Sequence, residues 1–142
     1  VLTADQLRRL EAIHRHEYDR FRYVSDAEKW GTQEHWLSCR DVAAMATGRS
    51  EGDCEDFAAI VRAACREAGI PTRLVFCWVP KERGYHIVLE ADGWISDCNR
   101  PYLTERDIID NYEWISLSGY EPGEPWHYVK GFDTSAPWPH LR

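Results

Sequence analysis

Gly52-Asp53-Cys54-Glu55-Asp56-Phe57-Ala58-Ala59-Ile60 sets a cysteine at the junction between a polar turn and an apolar helical pattern. Upstream, Gly48-Arg49-Ser50-Glu51 has the composition of a loop. Downstream, Phe57, Ile60, Val61, Ala64, Cys65 and Ala68 recur at helical spacing on one face. The pattern stops at Gly69 and Pro71, an ordinary helix terminator. The spacing therefore predicts a helix of roughly four turns with Cys54 in the first, where backbone N–H groups have no partner inside the helix. Those donors and the macrodipole favour an anion, so a thiol there is expected to ionise more easily than a free one. Cys65, in mid-helix, reads as core.

Beyond the helix the hydrophobic period changes from 3.6 to 2, which predicts strands at 73–79 (Arg-Leu-Val-Phe-Cys-Trp-Val), 84–91 and 94–98. Asp92-Gly93 between the last two is a two-residue hairpin signal. With that turn, Ala91 faces Trp94, Val88 faces Asp97 and His86 faces Asn99, so these four positions at 86, 88, 97 and 99 share one side of the sheet. His86 and Asp97 become a diagonal pair, roughly 7 Å apart along the backbone. If the helix after Cys54 packs on that side, thiol, imidazole and carboxylate converge. Cys98 falls on the opposite side and reads as buried.

Residues 3–21 predict an amphipathic helix with Thr3 as N-cap and Leu7, Leu10, Ile13, Tyr18 and Phe21 near one face. His14 and His16 in it read as solvated residues. A helical turn at 27–30, a helix from about Cys39 to Thr47, a short helix at 104–111 and a strand at 112–117 complete the expected elements. From Gly119 onward a Pro-, Gly- and Trp-rich tail is expected to wrap the surface, tethered by Trp126, Phe132 and Trp138. Trp30, Trp36, Trp78 and Trp94 read as packing residues.

A chain of 142 residues with 44% hydrophobic and 13% aromatic residues is expected to form one domain, 1–142, around a real core. Within it lie an N-terminal helix (1–22), a catalytic core (23–103) and the tail (119–142). A net charge of −7 gives nucleic acid no electrostatic footprint. No run has the length of a membrane span, and no leader is visible, although the first residue is valine. Five cysteines, an odd number without C-x-x-C spacing, argue against a disulfide framework and against a zinc motif.

A cysteine nucleophile needs a base, and the base needs an orienting partner. Cys54, His86 and Asp97 can fill these roles, with the Cys54 N–H as an oxyanion donor; Asn99 is the alternative orienting group. Asp53, Glu55 and Asp56 read as helix-capping acids. Three carboxylates beside a thiol nevertheless oppose its ionisation, and a bound cation would remove that conflict. Hard carboxylate oxygens suit calcium.

Gly52-Asp53-Cys54-Glu55-Asp56-Phe57-Ala58 resembles the nucleophile motif of the bacterial transglutaminase-like cysteine proteinases, the group containing the LapG-type proteases. Tyr23-Val24-Ser25-Asp26, Trp30-Gly31 and Trp36 resemble the segment ahead of that motif. Gly69-Ile70-Pro71, His86-Ile87-Val88-Leu89 and Asp97-Cys98-Asn99 resemble the segments behind it, over about residues 20–103. The proline that follows the upstream tryptophan in the family is replaced here by Leu37-Ser38-Cys39, and the 80–84 loop is short. The resemblance implies an α+β, papain-like transglutaminase-core fold with the nucleophile helix packed on an antiparallel sheet. It implies a Cys54-His86-Asp97 triad, calcium held through Asp53 and Glu55, and a periplasmic setting; the cytoplasm is the alternative if no leader was removed, and Glu51 or Asp26 are candidates to complete the calcium site. The expected activity is a thiol endopeptidase, monomeric, acting on a protein or peptide substrate. The alternatives are a transglutaminase or glutamine deamidase using the same triad, and a non-catalytic interaction module, phage-encoded for example, that keeps the fold.

Overall fold

The computed structural model describes residues 1–23 and 51–130. Helix α1 spans Ala4–Arg20 and opens on a capping box, in which the Thr3 hydroxyl accepts the Gln6 N–H and the Gln6 side chain accepts the Thr3 N–H. Strand β1 (Arg22–Tyr23) pairs in parallel with β2 (Glu51–Gly52), and helix α2 follows at Cys54–Glu67. Strands β3 (Arg73–Val79), β4 (Gly84–Ala91), β5 (Trp94–Ser96) and β6 (Thr104–Glu105), a 3-10 turn at Arg106–Ile108, and strands β7 (Glu113–Leu117) and β8 (His127–Tyr128) complete the order. The six strands β3 to β8 form one antiparallel sheet, ordered β6-β5-β4-β3-β7-β8.

Turn chemistry fixes the two junctions that matter most. Gly69 has φ +72°, and around it the Gly69 N–H reaches Arg66 O while the Ile70 N–H reaches Cys65 O, which closes α2 and turns the chain into β3. Asp92 and Gly93 have φ 50° and 85°, the left-handed pair that a tight hairpin needs. The β4–β5 register is the one the sequence predicts: Ala91 opposes Trp94, Glu90 opposes Ile95 and Leu89 opposes Ser96.

The sheet divides the core in two. On one face Ile87, Leu89 and Ala91 of β4 pack with Phe57, Ala58, Val61 and Cys65 of α2 and Leu10 of α1. On the other face Val75, Cys77 and Val79 of β3 pack with Val88, Ile95, Ile109 and Tyr112. Phe57 is 1% exposed and meets both His14 and Phe21 edge-on, which joins the two helices.

Several expectations are corrected. Helix α2 covers the face of Ile87, Leu89 and Ala91, not the face of Val88. Strand β5 stops at Ser96, two residues early. Residues 104–111 hold no α-helix, because Thr104 pairs with Ile95 and the Arg106 N–H bonds Gly93 O, which commits the backbone to the sheet edge. His14 is 1% exposed rather than solvated; it bonds Ser96 Oγ at 2.6 Å and the Arg100 carbonyl at 2.7 Å. Trp126 is 43% exposed and tethers little. The expected helices at 27–30 and 39–47, Trp30, Trp36, and the tail anchors Phe132 and Trp138 lie outside the described residues.

Candidate active site

Cys54 is the first residue of α2, directly after its N-cap Asp53. Asp53 Oδ1 accepts the amides of Glu55 (3.2 Å) and Asp56 (3.4 Å), and Asp56 Oδ2 accepts the Asp53 amide (2.9 Å). This reciprocal box holds the helix mouth rigid and leaves the Cys54 N–H outside it. The half-buried thiol meets the backbone amide of Ile87, one residue beyond His86. Burial pushes the thiol pKa up; the Ile87 amide opposes that, and the charges of Glu55, Asp53 and Asp97 add to it. The expected ease of ionisation is therefore overturned: desolvation and three carboxylates outweigh the helix terminus.

His86, near the start of β4, points to the face opposite α2, where Cys77 is its cross-strand partner. Its Nε2 lies 2.8 Å from Asp97 Oδ1. A carboxylate only accepts, so Nε2 carries the proton and Nδ1 is left as the basic nitrogen. Asp97 reaches the ring because β5 has ended: the chain leaves the ladder after Ser96 and the carboxylate swings into contact. Asp97 is 0% exposed. Its Oδ1 also accepts the Asn99 amide (2.9 Å) and its Oδ2 accepts the Tyr112 hydroxyl (2.5 Å), with Arg100 Nε at 3.6 Å. Burial alone raises a carboxyl pKa. Here it is outweighed by the His86 hydrogen bond and charge, the Tyr112 hydroxyl and the Asn99 amide, which together hold Asp97 below the ordinary carboxylate range.

His86 and Asp97 are thus in direct contact; Cys54, which packs with the α2-side cluster, meets the backbone amide of the next residue, Ile87, while the His86 ring lies on the other face. Asn99 contributes its backbone amide, while its side chain is exposed. Cys98 is half-buried and packs toward the α2 side, yet its sulfur lies within 4.8 Å of the ligand atoms of His86 and Asp97. Asp53, the N-cap, and Glu55, in the first turn, flank the thiol on either side, and their hard oxygen donors fit calcium chemistry; Asp26 and the side chain of Glu51 lie outside the described residues. Tyr112 and Arg100 escaped the sequence reading, since no local pattern joins a tyrosine ahead of β7 to an aspartate 15 residues upstream. Both also line an open cleft of about 290 Å³ with Val79, Lys81, Glu82, Asn99 and Asn111.

A helix-mouth cysteine facing the edge of an antiparallel sheet that carries a His–Asp couple is a transglutaminase-core arrangement. Residues 2–118 match the core model of the transglutaminase-like superfamily, and the chain belongs to that superfamily. Its fold is like that of Legionella pneumophila LapG, at TM-score 0.68 and 19% identity over 92% of this chain and 72% of that one. The EGTA-treated form of that protein aligns at TM-score 0.69 and 19% identity, over 88% of this chain and 68% of that one. Its calcium-bound form aligns at TM-score 0.65 and 16% identity, over 96% and 81%. No curated protein matches the chain. Among the described residues no helix is long and apolar enough to cross a membrane.

Proposed function

We propose that the chain is a thiol peptidase acting on a protein or peptide through Cys54, His86 and Asp97. The observation that carries this reading is the 2.8 Å bond from His86 Nε2 to Asp97 Oδ1, which leaves Nδ1 as the proton acceptor, together with the contact of the Cys54 thiol with the backbone amide of Ile87, the residue next to His86. The thiol is neutral at rest, so His86 Nδ1 takes its proton as sulfur attacks the amide carbon. The Cys54 N–H stabilises the oxyanion. The imidazolium, held by Asp97, then protonates the leaving amine. In the second half His86 removes a proton from water, which attacks the acyl-enzyme and releases the acid and the free thiol.

Calcium at Asp53 and Glu55 supports the same chemistry. A divalent cation there would cancel carboxylate charge that now opposes thiol ionisation. Added calcium is expected to raise Tm and EGTA to lower it. Equal melting in both would remove calcium from the reading.

The deciding experiment incubates a candidate proteome with wild type or Cys54→Ala and reads termini by mass spectrometry. New termini with wild type alone, from a variant with native circular dichroism, are expected. Ammonia release without chain cleavage would replace the reading by a deamidase or transglutaminase. Equal cleavage by the Cys54→Ala variant would refute it.

A further inference from the structure

Cys98 is absent from the peptidase chemistry, yet it is the third corner of a compact donor set. Its sulfur, a His86 ring nitrogen and an Asp97 carboxylate oxygen all lie within 4.8 Å of one another, with His86 and Asp97 buried and Cys98 half-buried. We propose that these three side chains form a binding site for a thiophilic divalent cation of the zinc type. No sequence motif announces it, because the ligands come from β4 and from the segment after β5, and neither the C-x-x-C nor the H-x-x-x-H spacing is present.

Several physical points favour the site. Tetrahedral zinc with bonds of about 2.0–2.3 Å sets its ligand atoms about 3.5 Å apart, so closing the cluster takes movements of roughly 1 Å. A thiolate, a carboxylate and a neutral imidazole around a doubly charged cation carry no net charge, which removes most of the desolvation penalty of a buried ion. The cation takes the place of the proton now shared by Nε2 and Oδ1; that proton moves to Nδ1, and the thiol proton leaves to solvent. Asp97 arrives already supported, since Tyr112 donates to the other oxygen, as the partners of ligating carboxylates do. Water fills the fourth position through the opening beside exposed Asn99, whose side-chain oxygen the Cys98 thiol now approaches at 3.8 Å.

Binding stands on these three side chains alone. Its consequence, a peptidase whose base has lost both its carboxylate and its basic nitrogen, rests on the function proposed above. The test therefore reads binding rather than turnover. The reduced 142-residue chain titrated with cobalt is expected to develop a thiolate-to-cobalt charge-transfer band that stoichiometric zinc removes. Cys98→Ser and Cys98→Ala should lose the band, and Cys65→Ser and Cys54→Ser should keep it. Tyr112→Phe should weaken zinc by about 10–100-fold, the usual effect of removing a partner that supports a metal ligand. A wild type without the band, a band that survives in both Cys98 variants, or one that disappears with Cys54→Ser overturns the site. These results are readable even if the chain proves to cleave nothing.

Discussion

Replacing Tyr112 by Phe removes one hydroxyl and leaves the ring in place, where it packs edge-on against both His86 and Trp114. The lost group donates at 2.5 Å to Oδ2 of Asp97, a residue that is itself fully buried. A hydrogen bond to a buried charge is worth about 1.5–3 kcal/mol. Arg100, 3.6 Å from the same oxygen, compensates in part, so the lower half of that range is expected. A loss near 2 kcal/mol corresponds to about 4–8 °C in Tm for a chain of this size. The pH dependence carries the more specific signature. Asp97 is held below its ordinary pKa, so its contribution is present above about 3.9 and is lost as pH falls through the lowered folded value. Without the hydroxyl the folded value rises toward the unfolded one, so the acid loss still begins near the unfolded pKa but ends at higher pH and is smaller. Urea midpoints measured from about pH 7 to pH 2 for both proteins give the whole comparison. Coincident acid limbs together with an unchanged Tm would mean that the hydroxyl does not hold Asp97, and the geometry argued here would be wrong.

Burial lowers the His14 pKa below 6.5, against the opposing pull of the Arg100 carbonyl and Asp97, so the folded state resists protonation. Stability should therefore fall as pH drops below about 6.5, and His14→Gln should flatten that slope while costing about 1–3 kcal/mol at neutral pH; urea titrations at several pH values check both. Gly69→Ala meets no atom within 4 Å, but it must adopt φ +72°, so a loss of about 1–2 kcal/mol is expected from denaturant unfolding. A neutral result would mean that the end of α2 relaxes.

The strands, the hairpin register and α2 were legible because each rests on local chemistry: period-2 alternation at Arg73–Val79, Asp92-Gly93 in the left-handed region, Gly69 at the helix end. What could not be read was set by distance in the chain. His14 looked solvated because its partners, Ser96 and Arg100, stand 82 and 86 residues away. The His86–Asp97 pairing was foreseen as a diagonal on a continuing ladder. The ladder in fact ends at Ser96, and this early end makes the contact direct. The α2 face was misassigned because alternation says which residues share a side and is silent on which side a helix covers. Helix-mouth position favoured an acidic thiol, but burial is invisible to a motif and dominates at Cys54.

His14 has a wider consequence. By gripping Ser96 and the Arg100 carbonyl it clamps the short bend on both flanks of Asp97, so the opening helix of the chain acts as a remote brace for a residue in its second half. Closing so long a span carries a loop-closure entropy cost, which grows only slowly with its length. A polypeptide trimmed to start at residue 21 would retain every motif and still lose the brace. Damage far upstream would then surface as a misaligned carboxylate rather than as a missing one.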